Sequence, residues 1–154
     1  MMKCWIAAIA GLCCASGLLH AQANDPESNF GIIPTRSVWS GVYSAAQASR
    51  GEHAYSDDEC GVCHGDALDG DSGVIALVGI DFMKDWDGQS ALALVRHIHS
   101  MQISNRDDIG IVEATDLTAF ILRENKIPAG SSDLPVDRRA LAEIRLDAQN
   151  PGAR

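Results

Sequence analysis

Two cysteines and a histidine stand close together in the run Cys60-Gly61-Val62-Cys63-His64. Two thiols three residues apart can share one helical turn, so both would reach the two vinyl groups along one side of a porphyrin. Thioether bonds would then fix the ring to the chain, and His64 would lie beneath the iron as its proximal ligand. The C-x-x-C-H motif therefore predicts one covalently attached c-type haem on Cys60, Cys63 and His64.

Other chemistries also use closely spaced cysteines. A zinc site needs two further ligands, and the chain has no second C-x-x-C motif to supply them. A thioredoxin-like redox pair needs a βαβ context, whereas the flanks here are a predicted helix and a glycine-rich loop. A disulfide between Cys60 and Cys63 would close almost no loop and would stabilise the fold little. A structural C-x-x-C domain without haem is the remaining alternative.

A sixth iron ligand must come from a segment well separated from His64. Met101 meets this condition, because it follows a predicted helix and enters an irregular polar stretch. Met83 lies beside two aromatic residues, which favours a place in the core. The remaining candidates are predicted to be solvated surface residues, and they are His53, His97 and His99. We therefore predict that His64 and Met101 are the two axial ligands and bind the iron.

Axial ligation decides between the possible functions. A thioether ligand favours ferrous iron, and two strong axial ligands leave no open position for oxygen or peroxide. The predicted function is electron transfer, one electron at a time, rather than catalysis. The alternatives are a haem enzyme such as a peroxidase, or a ligand-sensing haem module, and both need an open or labile distal position.

The N-terminus predicts export. Lys3 precedes a charge-free stretch that ends in Ala21-Gln22-Ala23, and its apolar part runs over residues 4–19. This pattern is typical of a secretory signal peptide, residues 1–23, cleaved after Ala23 and directing the chain to the periplasm. An uncleaved anchor is the alternative. Cleavage would remove three of the five cysteines and leave Cys60 and Cys63.

Composition narrows the partners. The 154 residues include 21 Asp and Glu against 12 Lys and Arg, which gives a formal net charge of −9. An acidic surface repels phosphate backbones, so we expect no nucleic-acid binding. It favours a protein partner with a basic docking patch. The rest of the sequence has no second charge-free apolar run, so we expect no stable membrane insertion of the mature domain.

Apolar periodicity predicts an all-α domain with long loops between its helices. A capping box of Ser44 and Gln47 begins a helix over residues 44–56. Two more helices are expected over 90–100 and 111–125, and Asp137 is expected to cap a short final helix that turns Leu141 and Ile144 inward. We assign residues 24–42 to an N-terminal arm on the domain surface, 43–126 to the haem domain and 127–154 to a C-terminal extension.

The combination of these features resembles the class I mono-haem cytochromes c. Members carry a glycine and then an aromatic residue four positions on just before the haem motif, here Gly51 and Tyr55. A late helix carries a leucine and then an aromatic residue three positions on, here Leu117 and Phe120, and crosses the early helix near the glycine. The resemblance covers about residues 43–125 and implies a cytochrome c fold of three main helices wrapped around one haem.

The same resemblance implies the ligands and the partners. The distal methionine of the family falls on Met101, although Gln102 stands where a proline often follows. A backbone carbonyl after the motif usually holds the second ring nitrogen of the histidine, and Ile75-Ala76-Leu77 stands at that place without the usual proline. The stretch 37–51 is similar to small cytochromes c that accompany periplasmic, quinoprotein-type dehydrogenases. This implies redox partners such as a dehydrogenase, a terminal oxidase or another cytochrome.

Overall fold

The computed structural model describes residues 33–57, 60–70, 74–101 and 109–153. Within these ranges the chain is mostly helical, with one very small sheet, as expected for an all-α protein. The predicted signal peptide lies outside the described residues. The elements in chain order are β1 Arg36–Ser37, α1 Ala45–Asp57, α2 Gly61–His64, α3 Gly79–Asp85, α4 Ala91–His99, α5 Ile111–Glu124, α6 Arg138–Ala142 and β2 Ile144–Arg145.

Helix α1 begins as predicted, because the Ser44 hydroxyl oxygen accepts a hydrogen bond from Gln47 N at 3.0 Å. The second half of the predicted capping box is wrong. The Gln47 side chain is buried and bonds instead to the backbone of Leu134, accepting from its N at 2.6 Å and donating to its O at 3.1 Å. A buried amide satisfied on both sides therefore joins α1 to the C-terminal region.

Helices α1 and α5 cross at Gly51, as predicted. A Cβ atom at this position would lie 2.0 Å from the backbone oxygen of Asp116, so only glycine allows the approach. The predicted inner faces are confirmed, since Gly51 and Tyr55 on α1 and Leu117 and Phe120 on α5 are all buried. The Tyr55 and Phe120 rings pack with centroids 5.3 Å apart. This crossing is the frame on which the rest of the fold is built.

Helix α4 packs against α5 and α6. It begins at the predicted position, where the Ser90 hydroxyl oxygen accepts from Ala93 N. The apolar residues that recur at helical spacing along it are buried, and they are Ala91, Leu94, Val95 and Ile98. Helix α3 was not predicted, because its seven residues are too few to establish a helical period. It buries Phe82 and Met83.

The two ends of the described chain belong to the same core. Strand β1 pairs in parallel with β2, and Val38 is completely buried, so the predicted surface arm contributes to the core at this residue. The Trp39 indole N–H donates to Asp147 O at 2.9 Å. Asp137 caps α6 as predicted, and Leu141 and Ile144 are buried, although Ile144 lies in β2 rather than in the helix.

Residues on both sides of the predicted haem domain, such as Val38 and Leu141, therefore belong to the same buried cluster. None of the helices in the described ranges is long and apolar enough to cross a bilayer.

Candidate functional site

The C-x-x-C-H motif forms the short helix α2. Its turn is closed by the bonds from His64 N to Cys60 O at 2.9 Å and from Gly65 N to Gly61 O at 2.8 Å. Cys60 N also donates to Tyr55 O at 3.2 Å, which joins the motif directly to the end of α1. Cys60 is half-buried and Cys63 is exposed. Residues 60, 63 and 64 therefore share one turn, as the spacing predicted.

One nitrogen of His64 is already occupied. Its Nδ1 lies 3.1 Å from the carbonyl oxygen of Ile75. A carbonyl only accepts, so Nδ1 carries the proton and Nε2 is left as the basic nitrogen. This carbonyl belongs to the run Ile75-Ala76-Leu77, in which such an acceptor was expected despite the missing proline.

The segment that supplies this carbonyl is held on both sides. Leu77 N donates to Leu68 O at 2.8 Å, and the Asn125 amide donates to Leu77 O at 2.8 Å. The Asn125 amide oxygen accepts from Gly79 N at 3.0 Å. Asn125 at the end of α5 thus fixes the loop that orients His64.

Cys60, His64 and Met101 line one cavity of about 350 Å³. This volume is within the range of small-molecule and cofactor sites. The remaining lining is mainly apolar or aromatic and comes from α1, from the loop before α3, from α3, α4 and α5 and from the residues flanking α3, α4 and α5. It includes Tyr55, Ile75, Leu77, Phe82, Trp86, Leu94, Ile98, Ile109, Leu117 and Ile121. The structure therefore brings together three of the four predicted site residues, while Cys63 faces solvent.

The other candidate ligands are distributed differently. Met83 is buried in the core, and His53 is exposed on α1, both as predicted. His97 and His99 are exposed as well, but each has a specific contact. The His97 ring packs on Trp86 at 5.6 Å and lines the cavity. His99 Nδ1 lies 2.6 Å from Ile109 O. Surface placement alone therefore described these two histidines incompletely.

Trp86 is a cavity residue that the sequence interpretation did not single out. The sequence feature that could have identified Trp86 is its position one helical turn beyond Phe82. In the structure the two rings lie 6.3 Å apart. Ile109 was missed as well. It stands between Asp108 and Gly110, outside the predicted helices, yet it is only 2% exposed in the fold.

The electrostatics around the motif are negative. The Tyr55 hydroxyl donates to Gly65 O at 2.7 Å. Burial, with smaller contributions from the negative charges of Cys60, Asp66 and Asp69, raises the pKa of Tyr55 to about 12. The sequence has no lysine or arginine between Arg50 and Lys84, and its ionised groups there are carboxylates. The haem-binding motif predicted from the sequence thus lies in a stretch whose formal charge is negative.

In the described ranges, no group of three or more His, Cys, Asp and Glu side chains is placed to hold a metal ion. Comparison with protein-family models, with curated proteins and with solved structures found no match to this chain.

Proposed function

We propose that this chain is an exported mono-haem cytochrome c that transfers single electrons. The observation that carries the proposal is the shared cavity, in which Cys60, His64 and Met101 meet an apolar and aromatic lining. The donor set fits the cofactor, because an imidazole and a thioether are the axial pair of electron-carrying cytochromes c. The thiols of Cys60 and Cys63 share one turn with the imidazole, as covalent attachment requires.

The protein side chains would have separate tasks. Each thiol would add its S–H across one vinyl group, which forms a carbon–sulfur bond and needs no outside oxidant or reductant. Ile75 O holds Nδ1 of His64, so Nε2 would bind the iron in a fixed orientation. Met101 would supply the sixth ligand. The apolar lining would exclude water and so keep both axial bonds from exchange with solvent.

A haem held in this way supplies one-electron exchange between ferric and ferrous iron. Because thioether sulfur favours the ferrous state, Met101 would raise the reduction potential. With both axial positions occupied, no position remains for a substrate. We therefore infer an electron carrier, or an electron-transfer subunit of a dehydrogenase complex, rather than an enzyme.

The location and the partners follow from the sequence. Export to the periplasm, with cleavage after Ala23, provides the compartment in which c-type haem is attached. The partners we propose are a dehydrogenase as donor and a terminal oxidase or another cytochrome as acceptor. The acidic run between Arg50 and Lys84 would steer a partner with a basic docking surface toward the motif.

Expression in a host that attaches c-type haem tests this proposal. We expect a pyridine haemochrome of the c type with one haem per chain. We also expect the weak long-wavelength sulfur-to-iron band in the oxidised protein. Met101→Ala should abolish this band and open the iron to carbon monoxide. The matched control is Met83→Leu. Met83 is buried in α3, and its substitution should leave the band unchanged.

The other outcomes are equally clear. Covalent haem without the sulfur-to-iron band, in a protein that binds carbon monoxide readily, would favour the haem enzyme or the sensing module. A chain that leaves this host without covalent haem would overturn the proposal altogether.

A further inference from the structure

We propose that His99 positions Met101 as the distal ligand, by a hydrogen bond from its Nδ1–H to the carbonyl oxygen of Ile109. This inference rests on the proposed function, because it concerns how the sixth ligand is held. The two atoms lie 2.6 Å apart. The Ile109 carbonyl only accepts, so the bond requires the tautomer of His99 with its proton on Nδ1.

The bond joins the two chain segments that flank the proposed ligand. His99 is the last residue of α4, and Met101 still belongs to that helix end, because Met101 N donates to Ile98 O at 3.0 Å. Ile109 comes two residues before α5. Met101 and Ile109 both line the cavity. The imidazole therefore connects the end of α4 to the segment before α5, beside the cavity.

The hydrogen bond matters because it holds together the two ends of the stretch between Met101 and Ile109. Residues 102–108 connect these two points, and fixing the ends of such a stretch costs conformational entropy. Ile109 is only 2% exposed, and the His99 imidazole gives its carbonyl oxygen a hydrogen-bond partner. Without the bond, the helix end would be free to shift Met101 relative to the iron. His99 is not among the residues that line the cavity, so its role is positional.

Substitutions in the haem-loaded full chain test this role. His99→Ala removes the donor, and we expect exogenous imidazole to displace Met101 with an apparent affinity about tenfold tighter, the equivalent of one lost hydrogen bond. His99→Asn should restore most of the wild-type affinity, because its amide N–H lies near the position of Nδ1. His99→Gln places its amide near the position of Nε2 and should behave like His99→Ala. The matched control is His53→Ala, an exposed histidine on α1.

Several results would overturn the inference. His99→Ala with wild-type imidazole affinity would do so, and so would His99→Asn that is no better than His99→Gln. If His99→Ala fails to fold, the reduced wild-type protein still decides: a long-range proton–nitrogen correlation must show His99 protonated on Nδ1, and a proton on Nε2 alone overturns the bond. A wild-type protein without covalent haem, or without the sulfur-to-iron band, is a failure of the proposed function instead, and it is detected before any variant is made.

Discussion

The helix crossing and the cavity wall are held together by different means. At the crossing of α1 and α5, Gly51 lets one backbone rest directly on the other. Arg50 adds two hydrogen bonds to the nearly buried Asp116, from Nε at 2.9 Å and from Nη2 at 3.1 Å. Close packing and a paired charge thus reinforce each other in one place.

The cavity wall depends on single bonds between side chains and backbone. His64 to Ile75 O, Asn125 to Leu77 O and His99 to Ile109 O each fix a segment that is neither helix nor strand. At the crossing, any added atom would clash with the closely packed backbone. In the cavity wall, a substitution would remove a single hydrogen bond and leave the others in place. Substitutions at the crossing should therefore lower stability, and substitutions in the wall should change the site while the fold persists.

The largest effect is expected at the crossing, for Gly51→Ala. The new methyl group would lie 2.0 Å from Asp116 O, and a backbone oxygen cannot move aside cheaply. Separating the two helices should cost about 3 kcal/mol of unfolding free energy. Urea unfolding of the haem-loaded protein, followed by far-ultraviolet circular dichroism, measures this loss.

Gly110→Ala is the matched control for this change. Among the described residues, a methyl group there would meet no atom within 4 Å, and the φ of −59° suits alanine. Its lower unfolded-state entropy and its poorer capping should nearly cancel, so we expect a change within about 1 kcal/mol of zero. Equal losses of unfolding free energy for Gly51→Ala and Gly110→Ala would contradict the view that close packing at Gly51 determines the crossing.

Asn125→Ala should have the next largest effect, and it acts on the wall. The amide holds Leu77 O, Gly79 N and also Ile121 O, at 2.8, 3.0 and 2.9 Å. Loss of these bonds should cost about 2 kcal/mol and loosen the loop that orients His64. The haem absorption bands should shift, unlike those of Gly51→Ala. Asn150→Ala is the control, because Asn150 is exposed and its side chain accepts a hydrogen bond from Gly152 N within its own turn.

The sequence predicted the crossing well because its signals are local and periodic. Gly51 and Tyr55 share one face of a continuous helix, and Ser44 and Asp137 cap their helices through residues three positions away. The motif turn is local too, since five consecutive residues define it. These features were recoverable without any tertiary information.

The cavity wall and the contacts of the terminal segments were harder to predict, because their partners are far apart in sequence or have no period. Nothing local marks Asn125 as a partner of Leu77, or Gln47 as a partner of Leu134. Residues 33–42 belong to the segment expected as an N-terminal arm on the surface, yet Val38 is buried with the rest of the core. Such contacts become visible only when the whole chain is folded.

Tyr55 contributes to both the crossing and the cavity wall. Tyr55→Phe removes only the hydroxyl group, so among these substitutions we expect it to have the smallest effect on stability. Its ring stays in the crossing against Phe120, and only the hydroxyl reaches the wall at Gly65 O. The lost bond should cost about 1 kcal/mol at neutral pH. Tyr43→Phe is the matched control, since it loses a similar bond to Ile127 O away from the cavity.

The dependence on pH tests the burial of this hydroxyl. The pKa of Tyr55 is raised to about 12 in the folded protein, whereas an unfolded tyrosine has a pKa of about 10. Between these values only the unfolded state releases the proton, so wild-type stability should fall as the pH rises. Tyr55→Phe lacks this ionisation, and its deficit relative to the wild type should shrink over the same interval. A deficit that stays constant from neutral pH to about pH 12 would mean that the hydroxyl is open to water, and the wall would then be looser at Gly65 than its hydrogen bond indicates.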